Sequence, residues 1–291
     1  MNALLFPGQG SQVVGMGSEF YNNFNIVKKI FKQADEKLNY PISKMILEGP
    51  ADHLQLTQNT QPAILTVSYS IFTVLKNEFD FNFNLFKYFA GHSLGEYSAL
   101  VCSEALNLDD ALYLLFERGK AMQAAVPVGK GSMIAVLGLK IKEINDLIDN
   151  RIDKKGVCEI ANDNADGQVI ISGDRESVQS LQVSLKEKKI KSIPLKVSAP
   201  FHCSLMKPAA ESMKKKIQDT NFKDSLFEII NNVNAKVEKD KNVIKSLLID
   251  QIFSTVKWRE SLIYMSNTGV KNFLEIGPGK ALTGMVKRTV N

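Results

Sequence analysis

Apolar and polar positions fall into two textures along the chain. Ala3–Phe6 is a short unbroken apolar run closed by Pro7-Gly8-Gln9-Gly10, which predicts a buried strand entering a tight glycine loop. Helical periodicity follows at 16–37 and 62–77. The second stretch opens on Thr60-Gln61-Pro62, which predicts Pro62 at a first helical position. Leu85–Ala90 is apolar and stops at Gly91; an alanine- and leucine-rich pattern and then a clear helical period over Leu108–Ala125 come next. Strand then helix, repeated, predicts an α/β fold with a mostly parallel sheet.

Near Val126-Pro127-Val128-Gly129-Lys130-Gly131 the elements become short. Met133–Leu139 reads as a strand, Ile141–Ile152 as a helix, and Val157–Ala161 and Gln168–Ser172 as strands joined by a turn over Asn162–Gly167. Glu176–Lys188 reads as a helix and Ser192–Val197 as a strand. The order βαββαβ is that of a ferredoxin-like domain, here inserted within the chain. The predicted organisation is one discontinuous large domain over 1–126 and 198–291, with an inserted subdomain over 127–197. In the second half of the large domain, Ala209–Thr220 and Lys245–Phe253 read as helices and Phe227–Val233 as strand-like. Lys271–Ile276 reads as a strand entering Gly277-Pro278-Gly279, with a last helix from Ala281.

Composition narrows the class without choosing a function. The chain has 291 residues, 44% hydrophobic and 23% charged, which fits a folded globular protein. Lys+Arg is 36 against 31 Asp+Glu, a net charge of +5. That permits acidic partners and does not demand nucleic acid. Three cysteines, Cys102, Cys158 and Cys203, form no CxxC and predict neither a disulfide framework nor a thiolate zinc site. No basic leader and no long apolar stretch is evident, so the expectation is a cytoplasmic protein without a membrane span. Arginine is scarce, at 118, 151, 175, 259 and 288 only, so an arginine in an apolar pattern needs a reason.

Gly91-His92-Ser93-Leu94-Gly95 fits GxSxG, the turn that lifts a serine hydroxyl clear of a sheet between strand and helix. The amide of Leu94 then sits at a helix N-terminus, where it can donate to an anion. A serine needs a base to become a nucleophile. Of the three histidines, His92 is next to Ser93 and points away from it, and His53 lies in a polar stretch. His202, in the loop after Ser198-Ala199-Pro200-Phe201, is left as the base. Arg118 shares its helix face with Leu114, Leu115, Ala121 and Met122. Two readings are open: an internal salt bridge to Glu96 or Glu117, or a fork holding a substrate carboxylate.

GHSLGEYSA at Gly91–Ala99, LFPGQGSQ at Leu5–Gln12, APFHCSLM at Ala199–Met206 and EIGPGKALTG at Glu275–Gly284 together resemble the malonyl-CoA:acyl-carrier-protein transacylases along essentially the whole chain. The resemblance implies an α/β-hydrolase-like core carrying a ferredoxin-like subdomain, with the site between them. It implies Ser93 as nucleophile, His202 as acid and base, and the amides of Gln9 and Leu94 as oxyanion hole. It implies that Arg118 holds the malonyl carboxylate, that the Gln251 carbonyl orients the histidine, and that Phe201 and Asn162 line the substrate cleft. It further implies malonyl-CoA as substrate, an acidic acyl carrier protein bearing phosphopantetheine as transient partner, no resident cofactor or metal, and a monomer.

Three rival classes share some of these features. A thioesterase or esterase would use the same elbow but resolve the acyl-serine with water. A nucleotide-binding protein would use the Gly8-Gln9-Gly10 loop, but Gly15 comes two residues late for GxGxxG, and Gly277-Pro278-Gly279-Lys280 lacks Walker spacing. A catalytically dead docking module would not need both Ser93 and His202.

Overall fold

The computed structural model describes residues 1–151, 155–197 and 199–290. Its strands are β1 (Asn2–Phe6), β2 (Phe86–Gly91), β3 (Gly131–Leu137), β4 (Cys158–Ala165), β5 (Gln168–Asp174), β6 (Ser192–Pro194), β7 (Glu228–Ile230), β8 (Val237–Glu238) and β9 (Asn272–Glu275). They form a five-stranded sheet in the order β8-β7-β2-β1-β9 and a four-stranded sheet in the order β4-β5-β3-β6. The fold is therefore mixed α/β with a parallel sheet at its centre. β1 pairs in parallel with β2 and β9, and β2 with β7; only the edge strand β8 is antiparallel.

β1 explains its own unbroken apolar run. Leu4 and Phe6 face one core cluster while Ala3 and Leu5 face another, so both sides of the strand are covered. The four-stranded sheet alternates instead. Ile134 and Val136 of β3 pack with Ile144, Val178, Leu181 and Leu185 of the helices Ile141–Asp149 and Arg175–Glu187. Met133 and Ala135 point the other way, into the large core. Its elements run β-α-β-β-α-β, and all its pairings are antiparallel.

The two sheets are joined directly. Asn162 of β4 bridges Val256, Asp163 N donates to Val256 O at 3.0 Å, and Val256 N donates to Ala161 O at 2.8 Å. The Asp163 carboxylate, 1% exposed, takes Arg259 Nη2 at 2.9 Å.

Several predicted boundaries move. The helix over 16–37 is two helices, Ser18–Asn23 and Asn25–Leu38, because Phe24 is extended. Pro62 lies inside the helix Thr57–Glu78 rather than at its start. The added turn is held by side chains: Thr60 Oγ1 donates to Leu54 O at 2.6 Å and Asn59 Nδ2 to His53 O at 2.9 Å. Asn162 is not in a turn. β4 continues to Ala165, and the reversal is only Asp166-Gly167, with Gly167 at φ 70°. Residues 83–85 form a 3₁₀ turn before β2, and β6 stops at Pro194. The predicted end of the helix at Ile152, and Ser198 at the predicted return to the large domain, lie outside the described residues. The helix Trp258–Asn267 was not predicted, although Trp258, Leu262 and Met265 are spaced for one buried face.

Candidate active site

Parallel strands that end side by side leave a crevice at their carboxyl ends. β1 delivers the Pro7–Gly10 loop there, β2 delivers His92 and Ser93, and β7 delivers Asn231 and Asn232. The four-stranded sheet closes the opposite wall. The resulting cleft, about 370 Å³, is lined by Gln9, Ser93, Arg118, Asn162, Phe201 and His202, among others.

The turn at Ser93 is tight. A Cβ on Gly91 would lie 1.9 Å from the Gly95 carbonyl, and one on Gly95 would lie 2.3 Å from Phe6 O. The motif glycines are therefore where the helix start crosses two strand ends. Ser93 itself has φ 54° and His202 φ 56°, both in the left-handed region. Such conformations cost about 1–3 kcal/mol each and persist where the surroundings impose them. At Ser93 the imposing contacts are visible: Ser93 N donates to Asn232 Oδ1 at 2.7 Å, and Asn232 Nδ2 donates to Gly91 O at 2.8 Å.

Ser93 Oγ is 2.8 Å from His202 Nε2. His202 Nδ1 is 2.9 Å from the Gln251 main-chain carbonyl, an acceptor only, so Nδ1 carries the proton and Nε2 is free to accept one. Burial first, and then the charge of Arg118, push His202 down to about 3, so its imidazole is neutral over the ordinary pH range. No carboxylate contacts this histidine among the described residues; a carbonyl does the orienting.

Arg118 is 1% exposed and makes no ion pair with Glu96 or Glu117. Its Nη1 donates to Gln61 Oε1 at 2.7 Å, and its Nη2 to Gln251 Oε1 at 2.8 Å and Ser93 Oγ at 3.2 Å. Glu117 turns to the surface, to Lys120 and Lys216. The salt-bridge reading of Arg118 is thus corrected: neutral amides and the serine hold it, and no internal carboxylate occupies its fork.

The Gln9 and Leu94 amides donate to no protein acceptor among the described residues. The Gln9 side chain is turned away, with Nε2 on Thr57 Oγ1 at 3.3 Å. Phe201 is buried beside His202 on the cleft wall. His92 stands apart from the serine chemistry. Its Nε2 is 2.7 Å from Asn164 Oδ1, and its ring meets Trp258 edge-on. His53 is exposed in a short helix. All three cysteines are free and buried.

Gln61, Asn232 and Asn164 also shape this site and were not singled out in the sequence; Glu96 was named there only as a candidate ion-pair partner of Arg118. Gln61 carried no clear signal, being one of several polar residues, with Asn59, Thr60 and Thr66, buried on the same helix. Asn232 had a signal, since it belongs to the amide pair Asn231-Asn232 that interrupts the apolar segment Phe227–Val233. Nothing local marked Asn164, whose partner is 72 positions away.

The acyl transferase domain family model matches residues 3–291, and the chain belongs to that family of acyltransferases. It is 43% identical over 290 residues to the malonyl CoA-acyl carrier protein transacylase of Bacillus subtilis, covering 98% of this chain and 89% of that protein. It is 39% identical over 290 residues to the transacylase of the same name from Escherichia coli, covering 99% and 93%. Among solved structures, the acyl-carrier-protein-S-malonyltransferase of Bartonella henselae superposes with a TM-score of 0.95 at 42% identity, over 99% of this chain and 92% of that one. A malonyl-transacylase in complex with its type II PKS acyl-carrier protein superposes with a TM-score of 0.95 at 37% identity, over 100% and 93%. Among the described residues, no helix is long and apolar enough to cross a membrane.

Proposed function

We propose that this chain is a malonyl-CoA:acyl-carrier-protein S-malonyltransferase that works through a malonyl-Ser93 intermediate. One observation carries the mechanism: a buried serine lies 2.8 Å from a neutral histidine and 3.2 Å from an arginine whose fork no protein carboxylate fills.

Ser93 Oγ attacks the thioester carbonyl of malonyl-CoA and gives its proton to His202 Nε2. The carbonyl oxygen becomes an oxyanion, which accepts from the Gln9 and Leu94 amides. Those bonds are strongest in the tetrahedral state and lower the barrier for that reason. The carbon–sulfur bond breaks, His202 returns the proton to sulfur, and coenzyme A leaves. The phosphopantetheine thiol of the carrier then repeats the steps in reverse, with His202 taking its proton and returning it to Ser93. Arg118 holds the distal carboxylate of the malonyl group bidentately. An acetyl group lacks that anion and leaves a buried guanidinium unmatched. The Phe201 ring limits space beside the α-carbon, so methylmalonyl-CoA should turn over more slowly than malonyl-CoA; equal turnover would remove that role.

We read the five-stranded sheet as an α/β-hydrolase-like core over 1–126 and 198–291, and the four-stranded sheet as an inserted ferredoxin-like subdomain over 127–197. The β-α-β-β-α-β order and the β4-β5-β3-β6 arrangement support the second reading. Free buried thiols suit a reducing compartment, here the cytoplasm. A net charge of +5 suits an acidic carrier protein as transient partner of a monomer that needs no resident cofactor.

The deciding experiment is mass spectrometry of the protein after incubation with malonyl-CoA. A malonyl adduct on Ser93 that discharges when holo carrier protein is added is expected. Rapid discharge to water alone would favour a thioesterase.

A further inference from the structure

Glu96 lies in the first turn of the helix after the nucleophile, 2% exposed, and touches neither Ser93 Oγ nor His202. One of its oxygens, Oε2, accepts two hydrogen bonds: from Gln251 Nε2 at 2.8 Å and from Asn232 N at 3.1 Å. Gln251 Nε2 also faces Ser93 O at 3.1 Å. With its NH₂ surrounded by acceptors, the Gln251 amide has only one orientation, and its Oε1 must point at Arg118. The flipped amide would put a carbonyl against the Glu96 carboxyl and N–H groups against the guanidinium, unfavourable at both ends. A direct Glu96–Arg118 ion pair would put a carboxylate in the fork; a glutamine between them fixes the arginine through a neutral acceptor.

Resting on the transferase reading above, we infer that Glu96 is a positioning residue for acyl selectivity: by fixing the Gln251 amide it holds the Arg118 fork where a malonyl carboxylate can enter. His202 depends on it less. His202 is oriented by the main-chain carbonyl of Gln251, which no amide flip moves. The bond to Asn232 N adds a second hold, because Asn232 Oδ1 receives Ser93 N. Both accepted bonds end on one oxygen, so the other is free to become an NH₂ group. An amide can replace the acid here; an apolar chain cannot.

The test compares Glu96→Met with Glu96→Gln. The readout is KM and kcat for Ser93 acylation by malonyl-CoA and by acetyl-CoA. Glu96→Met is expected to lower the malonyl-to-acetyl ratio of kcat/KM by about tenfold or more, chiefly through the malonyl KM. Glu96→Gln is expected to restore the ratio to within about threefold of the parent, as an acceptor role requires and a charge role does not. Equal loss with both acyl donors, an unchanged ratio in Glu96→Met, or a ratio in Glu96→Gln as low as in Glu96→Met would overturn the inference. Should Glu96→Met not fold, Gln251→Met serves instead. It keeps the carbonyl on His202 and must lose the malonyl preference in the same way; a retained preference overturns the inference. Failure of the parent protein to form malonyl-Ser93 would instead defeat the transferase reading, so the two failures are distinct.

Discussion

At the carboxyl ends of β1, β2 and β7 the chain leaves polar groups deep inside the protein: Ser93, Glu96, Arg118, Asn232, His202 and Gln251 are all buried. The four-stranded sheet is built differently. Its helix-facing side is an apolar cluster of its own, and its cleft-facing side offers mostly hydrophobic wall, Met133 and Ile170, with Asn162 and Asn164 at one edge. One region accepts the cost of desolvated polar groups and satisfies most of them with one another, Arg118 Nε being left without a partner among the described residues. The other shapes and dries the space they face. Reactivity and enclosure are therefore separable here, and substitutions can address one without the other.

His202→Ala attacks the first region at its centre. The rate of coenzyme A release should fall by about 10²–10⁴-fold with malonyl and acetyl donors alike. If the two donors suffered unequally, the histidine would be serving selectivity as well as proton transfer. Arg118→Ala should split them. Malonyl transfer should fall by about 10²-fold while acetyl transfer gains relative to it, since a charge-assisted bond to the substrate is lost. An unchanged acyl preference, measured by competition, would remove the clamp.

The join between the regions is probed by Arg259→Ala. It leaves the Asp163 carboxylate buried without its cation, and unfolding in urea should show a loss of about 2 kcal/mol. Acetylation of Ser93 by a small activated ester should change less than transfer from malonyl-CoA, a longer donor that on the transferase reading would reach both walls. Parallel losses would mean that the sheets cannot be treated separately.

The smallest effect expected is in the pH profile. With His202 held down to about 3 by burial and Arg118, the acid limb of Ser93 acetylation should lie well below the ordinary imidazole range. An inflection near ~6.5, the unperturbed value, would contradict a neutral buried base. The stability sign follows. The unfolded chain takes up a proton at this histidine near ~6.5 and the folded chain does not, so its contribution is lost as pH falls from there towards 3. Glu96 acts oppositely: burial raises it to about 7, against the bonds from Gln251 and Asn232, so its contribution is fullest in acid and is lost as pH rises towards 7.

Some of this was legible in the chain because it depends on neighbours in sequence. The run Ala3–Phe6, the elbow around Ser93 and the helix over 108–124 follow from local pattern and steric limits. The elimination that pointed to His202, because a serine nucleophile needs a base and few histidines are available, names the residue whose Nε2 lies 2.8 Å from Ser93 Oγ. Asn162 was misplaced for a physical reason: a polar stretch reads as a turn until its groups find partners, and here these come from Val256 and Arg259, far along the chain.

Local pattern along the chain specifies the strand–turn–helix that carries Ser93 and raises the question of Arg118 on an apolar face. What answers that question comes from the fold. Gln61, Gln251 and Ser93 meet Arg118 from separate segments, and Glu96 fixes the Gln251 amide from a fourth position. Hydrogen bonds between residues so far apart leave no periodicity to read. They exist because a buried donor must find an acceptor in space, and the fold alone sets which one is near.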